Sequence, residues 1–145
     1  MKHNILLADD DEDDRLLFQE VLEELSIEVS LSTVNDGVQL MQFLSSTSNN
    51  LPNALFLDLN MPRKSGIECL SEIKMIDGLK HIPIVIYSTS LNMEVVDLLY
   101  EKGANYYIRK PGEFSSLKNV ISKAISLTSS DNFQQPKRVE FILQP

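Results

Sequence analysis

Apolar and polar positions along this chain alternate five times between two patterns. A short apolar run comes first, then a stretch with apolar residues three or four positions apart. The runs cover residues 4–8, 29–34, 55–58, 82–87 and 105–109. Most are apolar at consecutive positions, which suits strands buried on both faces as in a parallel sheet, whereas residues 29–34 alternate apolar with small polar side chains. The stretches between them predict helices over residues 15–25, with Leu17, Val21 and Leu25 on one face, then 38–44, 67–76, 92–103 and 114–127. Gly103 is placed to end the fourth helix. That helix is apolar on more than one side, through Met93, Val95, Val96, Leu98, Leu99 and Tyr100.

Strands alternating with helices give an α/β fold: a five-stranded parallel sheet joined by right-handed crossovers and doubly wound with five helices. In the flavodoxin-like order 2-1-3-4-5, strands one, three, four and five are neighbours. Their carboxyl ends then bring four polar groups to one edge. Asp9 and Asp10 end the first strand, Asp58 the third, Ser88 the fourth and Lys110 the fifth. In open α/β sheets this is the edge where ligands bind. Asp58 alone could be a turn residue before a helix, because Pro62 and Gly66 stop the strand. Four such groups converging by chance is much harder to accept.

Composition narrows the function. The 145 residues make one domain of ordinary size, 43% hydrophobic and 23% charged, with no apolar run near the ~20 residues of a membrane span. The apolar run after Met1 is too short for a signal peptide and meets Asp9, Asp10 and Asp11 at once. The single cysteine, Cys69, excludes an internal disulfide framework, fits a reducing cytoplasm, and falls on an amphipathic helix where packing is its expected role. A net charge of −8 argues against binding nucleic-acid phosphates.

Three carboxylates at one edge need a cation between them, and hard oxygen ligands suit Mg2+. A metal-bound carboxylate beside a lysine and a hydroxyl is the setting of a phosphoryl acceptor, with Asp58 as nucleophile and Lys110 and Ser88 stabilising the transferring group. A calcium loop is the competing reading of the acidic run. Asp9, Asp11, Asp13 and Glu20 fall at its first, third, fifth and twelfth positions, but Asp14 stands where that loop needs glycine. Glu12, Asp13 and Asp14 are accounted for as acidic residues at a helix start.

Over residues 3–127 the sequence resembles the receiver domains of two-component response regulators. The resemblance is carried by the Asp9-Asp10 pair, Asp58 within Asp-Leu-Asn-Met-Pro followed by Gly66, Ser88, and Lys110-Pro111. It implies that Asp58 accepts a phosphoryl group from a sensor histidine kinase or a histidine phosphotransfer protein. Asp10 and Asp58 would then bind Mg2+ directly, with the Asn60 backbone carbonyl as a further ligand and Asp9 acting through water. Ser88 would be the switch hydroxyl and Tyr107 the switch aromatic. Asn60 and Ser90 would occupy the positions that tune phosphoryl lifetime, and the Lys110–Pro111 bond would be cis. Thr89 departs from the small residue usual after the switch hydroxyl. The polar stretch 45–53 and Ser88-Thr89-Ser90-Leu91-Asn92 resemble single-domain regulators paired with phytochrome-type kinases.

Residues 128–145 are expected to be a tail rather than an output domain, so the signal would leave through a downstream protein partner, with no direct DNA binding and no membrane. The apolar excess of the fourth helix predicts an interaction face made with the fifth strand and fifth helix, and a homodimer through it. Val139, Phe141 and Leu143 alternate as an added edge strand would, although the composition around residues 129–135 favours a solvated terminus. Two rivals stand beside the phosphoacceptor. One is a receiver-like interaction module that is never phosphorylated. The other is an aspartate-nucleophile phosphatase, against which Asn60 counts, because those enzymes carry a second aspartate there.

Overall fold

In the computed structural model, which describes residues 3–46, 50–129 and 134–145, each apolar run becomes a strand. β1 (His3–Ala8), β2 (Val29–Val34), β3 (Ala54–Leu57), β4 (Ile84–Ser88) and β5 (Tyr106–Arg109) pair in parallel. Every residue of β3 and β4 is buried, as consecutive apolar positions require, while the alternating β2 is half-exposed at the sheet's edge. Between the strands run α1 (Glu12–Glu24), α2 (Gly37–Ser46), α3 (Gly66–Met75), α4 (Met93–Glu101) and α5 (Phe114–Thr128).

Alternate strand residues face two separate cores. Ile5, Leu7, Phe56 and Tyr87 meet Phe18 of α1 and Leu117 and Ile121 of α5, and the rings of Phe18, Phe56 and Tyr87 pack edge to face. Leu6, Leu55, Ile86 and Tyr107 meet Leu40 of α2, Leu70 of α3 and Leu99 of α4. Cys69 is fully buried in this second core, as expected of a packing residue. Gly103, at φ 100°, lets the chain turn out of α4 in a conformation that side chains disfavour.

α1 begins at Glu12 rather than Arg15, because the Asp11 carboxylate caps it by accepting from the Asp13 and Asp14 amides. That cap makes Asp11 a helix-starting residue rather than the third ligand of a calcium loop. Ser45 and Ser46 belong to α2, and the remainder of the expected polar loop lies partly outside the described residues.

The main correction concerns strand number. The sheet has six strands, in order β2-β1-β3-β4-β5-β6, with β6 (Ile142–Leu143) parallel to β5. The alternation in the tail explains it. Phe141 enters the core on the α4 side and Leu143 the core on the α5 side, whereas Val139 precedes the strand in a 3-10 turn (Arg138–Glu140) and is 85% exposed. The outer edge of β5, expected as part of an open interaction face, is therefore covered by the chain itself. On α4, Val96 and Leu99 are buried and Met93 and Leu98 remain exposed.

Candidate functional site

The carboxyl ends of β1, β3, β4 and β5 lie side by side, and the polar groups expected there are brought together. Oxygens of Asp9, Asp10 and Asp58 all lie within 4.8 Å of one another. Asp9 is fully buried and heavily bonded. Its Oδ1 accepts from the Asp11 amide at 3.0 Å, its backbone carbonyl accepts from Arg15 at 2.8 Å, and its Oδ2 accepts from Lys110 Nζ at 2.8 Å. Asp10 is exposed, so its carboxylate faces the open side of the cluster.

Asp58 follows β3 directly, and its amide donates to the Ala8 carbonyl at 2.9 Å, which holds it level with the end of β1. The α3 N-terminus closes tightly over it. A Cβ built on Gly66 would overlap the Asp58 carbonyl oxygen, so only glycine lets the helix start there, and the Gly66 amide donates to the Leu59 carbonyl. The Ser65–Glu68 capping box fixes that first turn. Burial pushes the Asp58 carboxyl up to about 6, with Lys110 opposing the shift, the Asp9 charge adding to it, and the Asn60 amide bond opposing it. A buried carboxylate so reluctant to ionise, next to two more, is the donor set a hard divalent cation satisfies. Asn60 lies exposed two residues on.

Lys110 reaches the cluster from the end of β5. Its Nζ bonds Asp9 and Asp14, each at 2.8 Å, and stands 3.7 Å from Asp58 Oδ2 and 4.9 Å from the centre of the Tyr87 ring. Burial works against its charge, but the bonds it donates to Asp14 and Asp9 outweigh that and hold the ammonium above its ordinary value. The Lys110–Pro111 bond is trans, a correction to the implied cis form. The trans preference of an X–Pro bond is small, about 0.5–1 kcal/mol, and the trans chain still delivers Nζ to the carboxylates.

Ser88 is fully buried at the end of β4, its Oγ 3.1 Å from Ser90 Oγ. Thr89 and Ser90 are exposed. Tyr107 is buried and turned inward, its hydroxyl donating to the Ser90 carbonyl at 2.5 Å. Asp14 was absorbed into the helix start by sequence reasoning. Its bond to Lys110 leaves no mark in the sequence, because an acidic residue in a first helical turn is already explained by the helix dipole.

The description "Response regulator receiver domain" matches residues 5–122. Response regulator Rcp1 of Synechocystis sp. is 38% identical over 121 residues, covering 81% of this chain and 82% of that protein. Among solved structures, the Mn(2+)-bound form of Rcp1 superposes with a TM-score of 0.78 at 36% identity, covering 92% of this chain and 99% of that one. The phosphorylated cyanobacterial phytochrome response regulator RcpA reaches 0.83 at 32% identity, covering 94% of this chain and all of that one. Sequence, fold and the arrangement of groups at the sheet's edge agree, and the chain belongs to the response regulator receiver domain family, the receivers of two-component signalling systems.

Proposed function

We propose that this protein accepts a phosphoryl group on Asp58 from a phosphohistidine of a sensor histidine kinase or histidine phosphotransfer protein, with Mg2+ bound beside it. The observation that carries the proposal is the buried Asp58 carboxylate between the Asp9-Asp10 pair and the Lys110 ammonium. Asp58 Oδ attacks phosphorus, the P–N bond breaks, and the imidazole leaves as a P–O bond forms. Lys110 shifts from Asp9 toward an equatorial oxygen, and Ser88 donates its hydroxyl to another. Asp10, Asp58 and the Asn60 carbonyl would hold the cation, with Asp9 acting through water. A cation held there would supply charge neutralisation for the transferring group.

Ser88 moving toward the phosphoryl group is the switch step, and the space it leaves favours the inward position of Tyr107. Asn60 and Ser90 line the approach to Asp58 and set how long the phosphoryl group lasts. Apart from its own phosphorylation and dephosphorylation the protein is not an enzyme, and the aspartate phosphatase reading loses to Asn60. The likeness to RcpA supports a phytochrome-type kinase as donor.

Residues 3–127 form the receiver, and residues 128–145 act as its tail. Output passes to a protein partner, not to DNA, through the side built by α4, β5, α5 and the tail. A homodimer would use the exposed Met93 and Leu98 of α4 on that side. Incubation with Mg2+ and acetyl phosphate tests the central claim. Intact mass should rise by one phosphoryl group in the native protein and stay unchanged in Asp58→Asn. Equal labelling of both would defeat the assignment, and no labelling of the native protein would favour the interaction module.

A further inference from the structure

We infer that residues 134–145 form a latch on the α4–β5 side that holds Tyr107 inward, so that docking of this segment and phosphorylation of Asp58 reinforce each other. The inference rests on the phosphoacceptor reading given above and adds the tail to it.

The segment is fastened at three levels. At the entry, the Gln135 side chain donates to the Tyr100 and Ala104 carbonyls, each at 2.7 Å, and the Tyr100 hydroxyl donates to the Pro136 carbonyl at 2.7 Å. In the middle, Arg138 pairs with Asp97 of α4 at 2.8 Å. At the end, Phe141 is fully buried, its ring edge-on to Tyr100 at 5.2 Å and to Tyr107 at 6.3 Å. The Tyr107 amide donates to the Phe141 carbonyl at 3.0 Å, and Tyr107 pairs with Ile142 in the sheet.

Tyr107 therefore touches both halves of the molecule. Its hydroxyl is bound at the Ser88–Ser90 end of β4 and its amide is bound to the tail. Phe141 fills the space beyond β5 on the same face of the sheet as Tyr107. An outward turn of the Tyr107 ring would carry it toward the sheet's edge, into the place that Phe141 occupies. Docking of the segment thus selects the inward ring. A phosphoryl group on Asp58 that draws Ser88 toward itself selects the same ring position from the other side. Two events that favour one state of a shared side chain must favour each other, and by the same factor in both directions.

Amide hydrogen exchange on the full chain with Mg2+, with and without beryllofluoride, reads this coupling. Exchange at the Tyr107 amide and across residues 138–143 should slow about 5-fold or more on adding beryllofluoride. In reverse, the double variant Gln135→Ala, Arg138→Ala, which loosens the segment while leaving Phe141 and Leu143 in place, should bind beryllofluoride more weakly by up to the same factor. Val139→Ala, at an exposed position, should leave both unchanged. A ligand of the folded state slows exchange everywhere by suppressing global opening, so a segment that merely covers a sheet edge would slow no more than the amides of β2. Beryllofluoride binding with tail exchange slowed no more than that of β2, or with full affinity in the double variant, would overturn the latch and leave the phosphoacceptor intact. No beryllofluoride complex at all would overturn both.

Discussion

Lys110 Nζ is 2.8 Å from Asp9 Oδ2 and 3.7 Å from Asp58 Oδ2, so the lysine rests on the carboxylate beside the nucleophile and only approaches the nucleophile itself. The ammonium thereby offsets the negative charge of the cluster while leaving Asp58 free to attack.

Lys110→Ala is accordingly expected to slow phosphorylation by acetyl phosphate about 100-fold, the usual loss when one positioned donor is removed from a site of developing charge. Asp9, Asp14 and Asp58 would also lose their shared counter-charge, and burial would push the Asp58 carboxyl further above 6. Time courses of intact mass measure this. A rate within threefold of the native protein would remove Lys110 from the proposed chemistry.

Asp10→Ala should abolish the rise in melting temperature produced by Mg2+ more completely than Asp9→Ala. Asp10 is exposed to the open side of the cluster, whereas Asp9 is buried and committed to the Asp11 amide and Lys110. A cation at 100 times its dissociation constant stabilises by about 2.7 kcal/mol. In metal-free buffer the order should invert, because Asp9→Ala removes the buried acceptor of both the Asp11 amide and Lys110, whereas Asp10→Ala disturbs little. Melting curves of both variants with EDTA and with Mg2+ decide it, and an unchanged Mg2+ response in Asp10→Ala would exclude direct coordination.

The parallel sheet of the first five strands was legible in periodicity and crossover handedness, and the edge where Asp9, Asp10, Asp58, Ser88 and Lys110 meet followed from the flavodoxin-like strand order. β6 was legible only in part. Phe141 and Leu143 alternate as an edge strand does, but two residues cannot declare a strand without the β5 edge they pair with, and polar residues precede them. Asp14 was missed for a different reason. Any acidic residue in a first helical turn is explained by the helix dipole, and its bond to a lysine 96 positions away exists only once the fold brings the chain just past β5 to the start of α1. The inward position of Tyr107 was beyond sequence reasoning altogether, since it rests on contacts with Ser90 and Phe141 that only the folded chain brings together.

Asp58→Asn should raise stability in metal-free buffer at pH 8 and lose that advantage as pH falls. Burial raises the folded carboxyl from its ordinary 3.8 to about 6, so the folded state holds its proton more tightly than the unfolded one. The favourable contribution of Asp58 is thus complete below about pH 3.8 and is lost as pH rises through about 6. Asparagine does not titrate, so the difference between the two proteins isolates this group from all others ionising in the same range. Urea unfolding of both at intervals from pH 5 to 8, with EDTA present, should show the gap widening with pH until it levels above about 6.5. A gap independent of pH would mean that the carboxyl ionises normally.

Gly66→Ala should weaken the site through the backbone rather than through charge. The added methyl would overlap the Asp58 carbonyl oxygen and crowd the Leu59 Cα, so either α3 must retreat or the end of β3 must shift. Overpacking of this kind costs about 1–3 kcal/mol. Because the displaced atoms are the backbone of Asp58, the loss should exceed that of an ordinary core methyl and should include weaker Mg2+ binding and slower phosphorylation. Gly78 provides the control, since a Cβ there meets nothing within 4 Å. Gly78→Ala should leave metal binding and phosphorylation as they are. Chemical denaturation, Mg2+ titration and acetyl phosphate labelling of the two variants separate the cases. If Gly66→Ala loses stability yet keeps native Mg2+ affinity, the close contact between α3 and β3 supports the fold and does not place the nucleophile.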